Sequence, residues 1–231
     1  MRPVTKYLVN SICPITRSII NRTYSDYKSA KPYLNANLGP YCSYCERPIS
    51  DESMHVEHIK PKNKYTQLET QWINFLVSCQ RCNGKDNKSD KIPKLNLTHF
   101  PTINNTFKSF VYHEDGRVTV NSTLIGNEKD KANQLIKLVN LHLIKGDPNH
   151  KEKDKRDELR RTSFKLAKRY LNMWESNEFT NVEIIIDLAK ERGNWSIWMQ
   201  VFSNHQNVQL ELINAFNGTY IDCLIKNINK S

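Results

Sequence analysis

Long hydrophobic runs are missing from this 231-residue chain. No stretch approaches the roughly 18 apolar residues that a membrane-spanning helix needs. The opening "MRPVTKYLVNSICPITRS" holds no apolar run of signal-peptide length. Both absences point to a cytoplasmic protein, and without a secretion signal the N-x-[ST] triplets at Asn21 and Asn217 carry no glycosylation meaning. Internal repeats and low-complexity segments are absent as well, which sets aside repeat architectures. Acidic residues are in short supply: 24 Asp+Glu stand against 34 Lys+Arg, a formal net charge of +10. Such an excess does not specify a fold, but it favours polyanionic partners, because phosphate contacts release condensed counterions.

The six cysteines include Cys13 and Cys223, which stand alone, and two C-x2-C pairs, Cys42-Ser-Tyr-Cys45 and Cys79-Gln-Arg-Cys82. In a reducing compartment such pairs read as metal ligands rather than disulfides. Each spacing lets one tight turn present two sulfurs to one ion, and four thiolates suit tetrahedral zinc. The segment between the pairs is longer than in a plain zinc ribbon. It contains "MHVEHIKPK" at 54–62, with His55, Glu57 and His58 crowded ahead of Pro61. On a strand, successive side chains face opposite sides, so Glu57 and His58 diverge while His55 shares the parity of Glu57. Pro61 ends regular ladder pairing.

The coarse pattern is α+β. Residues 1–40 form a mixed N-terminal segment, with a short helix expected before a break at Pro32 and an end at Gly39-Pro40. Residues 41–93 hold the cysteine pairs. Residues 94–126 form a connection in which "FKSFVYHEDGRVTVN" (107–121) reads as a hairpin around a Glu-Asp-Gly turn. From 127 to 231 the period is helical. Ala132, Leu135, Ile136, Val139 and Leu143 form one apolar stripe, and Leu159, Leu166, Tyr170 and Trp174 form another. Thr180 to Glu183 resembles a capping box for a third helix that Gly193 ends. A fourth helix is expected through Leu210 and Ile213, and a fifth over 220–228. The charged run 151–161 reads as a solvated helix face. Trp195, Trp198 and Phe202 fit either packed core or a docking patch.

The order of polar residues carries a resemblance. Glu57-His58-Ile-Lys-Pro61, then Trp72-Ile-Asn74-Phe-Leu, then Cys79-Gln-Arg-Cys82-Asn83, resembles the HNH endonuclease motif over about 50 residues. The resemblance implies a ββα-metal core: two strands and a helix around one catalytic ion. By position it makes His58 the general base, Glu57 the acidic metal ligand, Asn83 the second ligand in place of the commoner His, and Asn74 the residue that pins the loop and orients the histidine. An acid and an amide are oxygen ligands, which suit Mg²⁺ or Mn²⁺. Lys60, Lys62, Arg81, Lys85 and Lys88 cluster around these positions as expected phosphate contacts. "MRP" at the start, "CSYCERPIS", "VEHIKPK", "WINFLVSCQRCN", "WSIWMQVF" and "FNGTYIDC" extend the likeness to the HNH subunits of Septu-type (PtuB-like) and retron-associated anti-phage systems. That likeness implies a nuclease working with an ABC-type, PtuA-like ATPase. The motif leaves DNA (favoured) and RNA such as tRNA both open as substrates. A non-catalytic zinc module is the remaining alternative, although zinc alone requires neither Glu57, His58, Asn74 nor Asn83.

Overall fold

The computed structural model describes residues 1–179 and 181–221. Helix α1 spans Lys31–Leu38, with Pro32 inside its first turn and Gly39, at φ +72°, closing it. Pro32 therefore opens this helix instead of breaking one: the first turn has no intrahelical use for the missing N–H. Strands β1 (Met54–His58) and β2 (Phe75–Cys79) pair antiparallel, with Met54 opposite Cys79 and His58 opposite Phe75. Helix α2, Gln80–Asn83, follows β2 without a loop. This register brings the second cysteine pair to one end of the sheet and His58 to the other. The first cysteine turn is tied to the same sheet, where Ser43 N donates to Val77 O at 2.9 Å. Strand, strand and short helix thus form the ββα unit that the motif implies.

A short helix α3 (Thr106–Ser109) leads into β3 (Phe110–Tyr112), which pairs with β4 (Val118–Val120) through a turn at Gly116. The expected hairpin is present, with its first residues helical. Helices α4 (Gly126–Leu138), α5 (Arg156–Glu175), α6 (Val182–Arg192), α7 (Trp195–Val201) and α8 (Gln206–Ala215) follow. One cluster of buried apolar side chains draws from every region of the described chain, from Val4 through Phe75, Tyr112 and Leu135 to Phe216. Trp195, Trp198 and Phe202 lie at its centre with 0–1% exposure, so the docking-patch reading gives way to core.

The helical stripes need correction. Ala132, Leu135 and Ile136 are buried on α4, but Leu143 lies beyond its end. On α5 the fully buried face includes Arg156, Asp157 and Arg160, whereas Leu159 is 36% exposed. The charged run is therefore not a solvated face at these positions. Arg160 Nε donates to Gly116 O at 2.6 Å, and Asp157 Oδ2 accepts from Lys145 N at 3.0 Å. These groups satisfy the carbonyls and amides of the loops around them, which otherwise would be buried unpaired. Helix α6 is capped by Asn181, whose side chain accepts from Glu183 N. Thr180, the helix expected over 220–228 and Cys223 fall on or largely within residues outside those described. Gly193 (φ +65°) ends α6, and a Cβ there would meet Glu46 O at 2.4 Å. No helix among the described residues is long and apolar enough to cross a membrane.

Candidate active site

The four paired cysteines converge. The sulfurs of Cys42, Cys45, Cys79 and Cys82 all lie within 4.8 Å of one another and are buried. Cys45 Sγ and Cys79 Sγ are 3.8 Å apart. Tetrahedral zinc with its usual zinc–sulfur bond requires an edge of about 3.8 Å, so the donor set fits that ion in chemistry and size. A second observation supports thiolates. Arg156, 3% exposed, donates through Nη1 to Cys82 Sγ at 3.3 Å. The same guanidinium holds Val139 O at 2.8 Å and Asp154 Oδ2 at 2.7 Å. Asp154 already supplies the anionic partner that a buried guanidinium needs, and the additional donor on Cys82 Sγ would favour a thiolate at that position.

Beyond the cysteines, a cleft of about 640 Å³ opens along β1 and α2, lined by His55, Glu57, His58, Lys62 and Asn83. Strand alternation sends Glu57 and His58 to different partners, yet both reach this cleft where β1 ends. Glu57 is 1% exposed. Its Oε1 accepts from Tyr44 O–H at 3.1 Å and faces Lys88 Nζ at 3.2 Å. Burial pushes its carboxyl up to about 7, although Lys88 and Tyr44 both pull it down. Burial also holds the Tyr44 phenol well above its ordinary value, so it remains a donor.

His58 is fixed by its ring and by its proton. The imidazole meets Tyr27 and Phe75 edge-on, with centroids at 5.0 and 5.3 Å. Nε2 lies 2.8 Å from the carbonyl oxygen of Glu69. A carbonyl can only accept, so Nε2 carries the hydrogen and Nδ1 of the neutral ring keeps its lone pair. Desolvation lowers the His58 pKa, which favours this neutral form. Asn74 sets the loop that delivers Glu69. Its Oδ1 accepts from Lys60 N at 2.8 Å, and its Nδ2 donates to Lys60 O at 3.0 Å and Leu68 O at 3.1 Å. Backbone bonding continues past β1, with Ile59 N donating to Asn74 O at 2.8 Å.

Asn83, the last residue of α2, is half-buried and lines the cleft with Glu57. A carboxylate and a side-chain amide lining one cleft offer oxygen ligands, which suit a hard divalent ion better than zinc. His55, at the parity of Glu57, is exposed on the same cleft.

The basic residues divide. Lys62 lines the cleft, with Nζ 3.2 Å from Glu69 and 4.2 Å from the centre of the Tyr27 ring. Lys85 is exposed. Lys60 lies over the Tyr65 ring and lines a different groove with Ile73 and Leu68. Arg81 reaches Asp154 at 3.5 Å and Asp86 at 3.7 Å, away from the cleft. Lys88 does not belong with the surface lysines: its side chain has no exposure, and its ammonium is held inside by Glu57 and His58 O. Sequence reasoning missed Tyr27, Lys28 and Lys31, which complete the cleft wall from the N-terminal segment. It also missed Tyr44, hidden between the two cysteines of the first pair.

Comparison with known proteins places residues 42–89 within a family model described as HNH endonuclease. The chain is 34% identical over 147 residues to the Septu protein PtuB of Bacillus thuringiensis, covering 60% of this chain and 55% of that protein. It is 32% identical over 108 residues to a Vibrio cholerae protein named "Retron Vc95 putative HNH endonuclease", covering 45% of this chain and 52% of the relative. A Septu protein PtuB of Bacillus mycoides matches at 34% over 80 residues. The chain thus spans about half the length of the first two relatives.

Proposed function

We propose that the HNH domain makes this chain a metal-dependent endonuclease that hydrolyses phosphodiester bonds, with DNA the favoured substrate. The observation that carries the reading is the 2.8 Å contact of His58 Nε2 with Glu69 O: in the neutral ring it commits Nε2 as donor and leaves Nδ1 as the base, in a residue that lines the cleft beside Glu57. Such a base takes the proton of the attacking water, a contribution of typically about 10²–10⁴-fold. Glu57 and Asn83 are the residues that would hold a Mg²⁺ or Mn²⁺ ion, which when bound would neutralise charge on the scissile phosphate and the leaving oxygen. Asn74 fixes the loop so that Glu69 O keeps the imidazole in one orientation. Lys62 and Lys85 offer charge to the substrate backbone. The cysteine site, with zinc, holds α2 and hence Asn83 in place.

The names of the relatives support an anti-phage setting, and the Septu-type likeness supports an ABC-type ATPase as partner. The test is incubation of purified protein with duplex DNA and with total tRNA in Mg²⁺ or Mn²⁺, with and without that ATPase. Metal-dependent cleavage that disappears in His58→Ala is expected. Cleavage of tRNA alone would move the substrate to RNA. Cleavage of neither by the ATPase-supplemented protein would overturn the nuclease reading.

A further inference from the structure

Lys88 is the one residue of the expected basic cluster that is fully buried, and its contacts give it a different task. An ammonium has three donors, and Lys88 Nζ meets three acceptors: His58 O at 2.8 Å, Ser89 O at 3.3 Å and Glu57 Oε1 at 3.2 Å. Buried among these three oxygens, the ammonium is turned away from any substrate phosphate. The backbone of Lys88 is anchored to the second cysteine turn, where its N–H donates to Cys82 O at 3.1 Å. Tyr44 O–H also falls on Oε1 of Glu57, at 3.1 Å. Among the described residues, the Tyr44 hydrogen bond and the Lys88 ion pair therefore fall on the same carboxylate oxygen.

We propose that Lys88 is a positioning residue of the candidate nuclease centre: it holds Oε1 of Glu57, leaves Oε2 as the single oxygen offered to a divalent cation, and cancels the charge of Glu57, so that the cation binds weakly until a substrate phosphate arrives. This rests on the reading of Glu57 as a metal ligand. The charge count is direct. With its carboxyl ionised, Glu57 contributes one negative charge, Lys88 one positive, and the Asn83 amide none, so these three residues present no net charge to a dication. Hard cations favour sites with several anionic oxygens, and a substrate phosphate is the group that would supply them. Lys88 also grips the carbonyl of His58, so one ammonium sets the ligand and the backbone of the base together.

The experiment is calorimetric titration of Mn²⁺ into zinc-loaded protein without nucleic acid, at about pH 8.5 so that carboxylates are ionised. Removing a positive charge a few ångströms from the cation should tighten binding by at least about tenfold in Lys88→Met. Cleavage at saturating Mn²⁺ should fall by a similar factor or more, because His58 O loses its donor. Tyr44→Phe removes a bond on the same oxygen without changing charge, and should leave Mn²⁺ affinity within about threefold. Lys88→Gln, neutral but polar, should reproduce the gain in affinity and serves where Lys88→Met does not fold. Wild type should bind Mn²⁺ at least about tenfold more tightly with a phosphorothioate duplex that resists cleavage than without it. Equal or weaker Mn²⁺ binding in a folded Lys88 variant overturns the proposal, as does a wild-type affinity indifferent to the duplex. An unchanged Mn²⁺ affinity in Glu57→Gln would instead remove Glu57 from the ligand set and with it the underlying metal-site reading.

Discussion

Replacing Asn74 by alanine tests whether the loop governs the base. The side chain is 4% exposed and makes three hydrogen bonds, at 2.8, 3.0 and 3.1 Å, to the backbone of Lys60 and Leu68. Each net bond is worth roughly 0.5–1.5 kcal/mol, and backbone groups left unpaired in the interior add to the loss. The expected destabilisation is therefore about 3 kcal/mol. For a chain of this size each kcal/mol lowers Tm by roughly 2–4 °C, which gives a fall of about 6–12 °C. Asn74→Asp keeps the acceptor for Lys60 N but loses both donors and turns a carboxylate toward two carbonyls, so it should be no more stable than the alanine variant. Function should suffer beyond stability. Glu69 O stands 2.8 Å from His58 Nε2, and the loop that carries it would no longer be pinned. Thermal melting measures the first effect. Nitrogen-15 NMR of the histidine ring, with kcat at saturating metal, measures the second: wild type should show the Nε2–H tautomer, and Asn74→Ala a mixture with kcat at least about tenfold lower. An Asn74→Ala protein that melts 6–12 °C lower yet keeps its tautomer and kcat would refute the link between Asn74 and the base.

The two metal centres should separate. A structural zinc site contributes about 10–16 kcal/mol to folding, comparable with a whole domain's stability, so Cys45→Ser should unfold or aggregate whereas His58→Ala should stay folded and lose cleavage; thermal denaturation of both variants with zinc analysis decides it. Because burial pushes the Glu57 carboxyl up to about 7, its proton would compete below that pH with the divalent ion proposed to bind there. Apparent Mn²⁺ affinity should thus weaken by about tenfold per pH unit as pH falls below about 7, read by calorimetry in two buffers that reveal the released proton. Without metal the same raised carboxyl stabilises the fold most at low pH, below its ordinary value of 4.5, and loses that contribution as pH rises through about 7. On duplex DNA, Lys62→Ala and Lys85→Ala should each flatten the log–log salt dependence of binding by about one unit. Arg81→Ala should change it less, since Asp154 and Asp86 already hold that side chain; a salt titration of binding compares all three.

What the sequence determined by itself was local. Cys42 and Cys45, then Cys79 and Cys82, each sit on one turn, so their spacing alone implies a shared ion. Glu57, His58, Asn74 and Asn83 keep the order of a short strand–loop–strand–helix unit, and the structure brings Glu57, His58 and Asn83 to one cleft. The Glu-Asp-Gly turn and the end of α6 at Gly193 were likewise legible locally, although both glycines also make room for distant backbone, Asp157 O and Glu46 O. Only the tertiary structure decided which charges lie inside. Lys85 and Lys88 are alike in sequence, but one is exposed and the other meets Glu57, 31 positions earlier in the chain. Arg156 sits in a run of charges that composition assigns to solvent, yet it ends on Cys82 Sγ, 74 positions away. Tyr27 reaches His58 from a segment with no motif at all. The physical reason is common to these cases. Burying a charge or a polar ring depends on whether a partner is present to offset its desolvation, and for these side chains that partner lies dozens of residues away, where no local pattern records it.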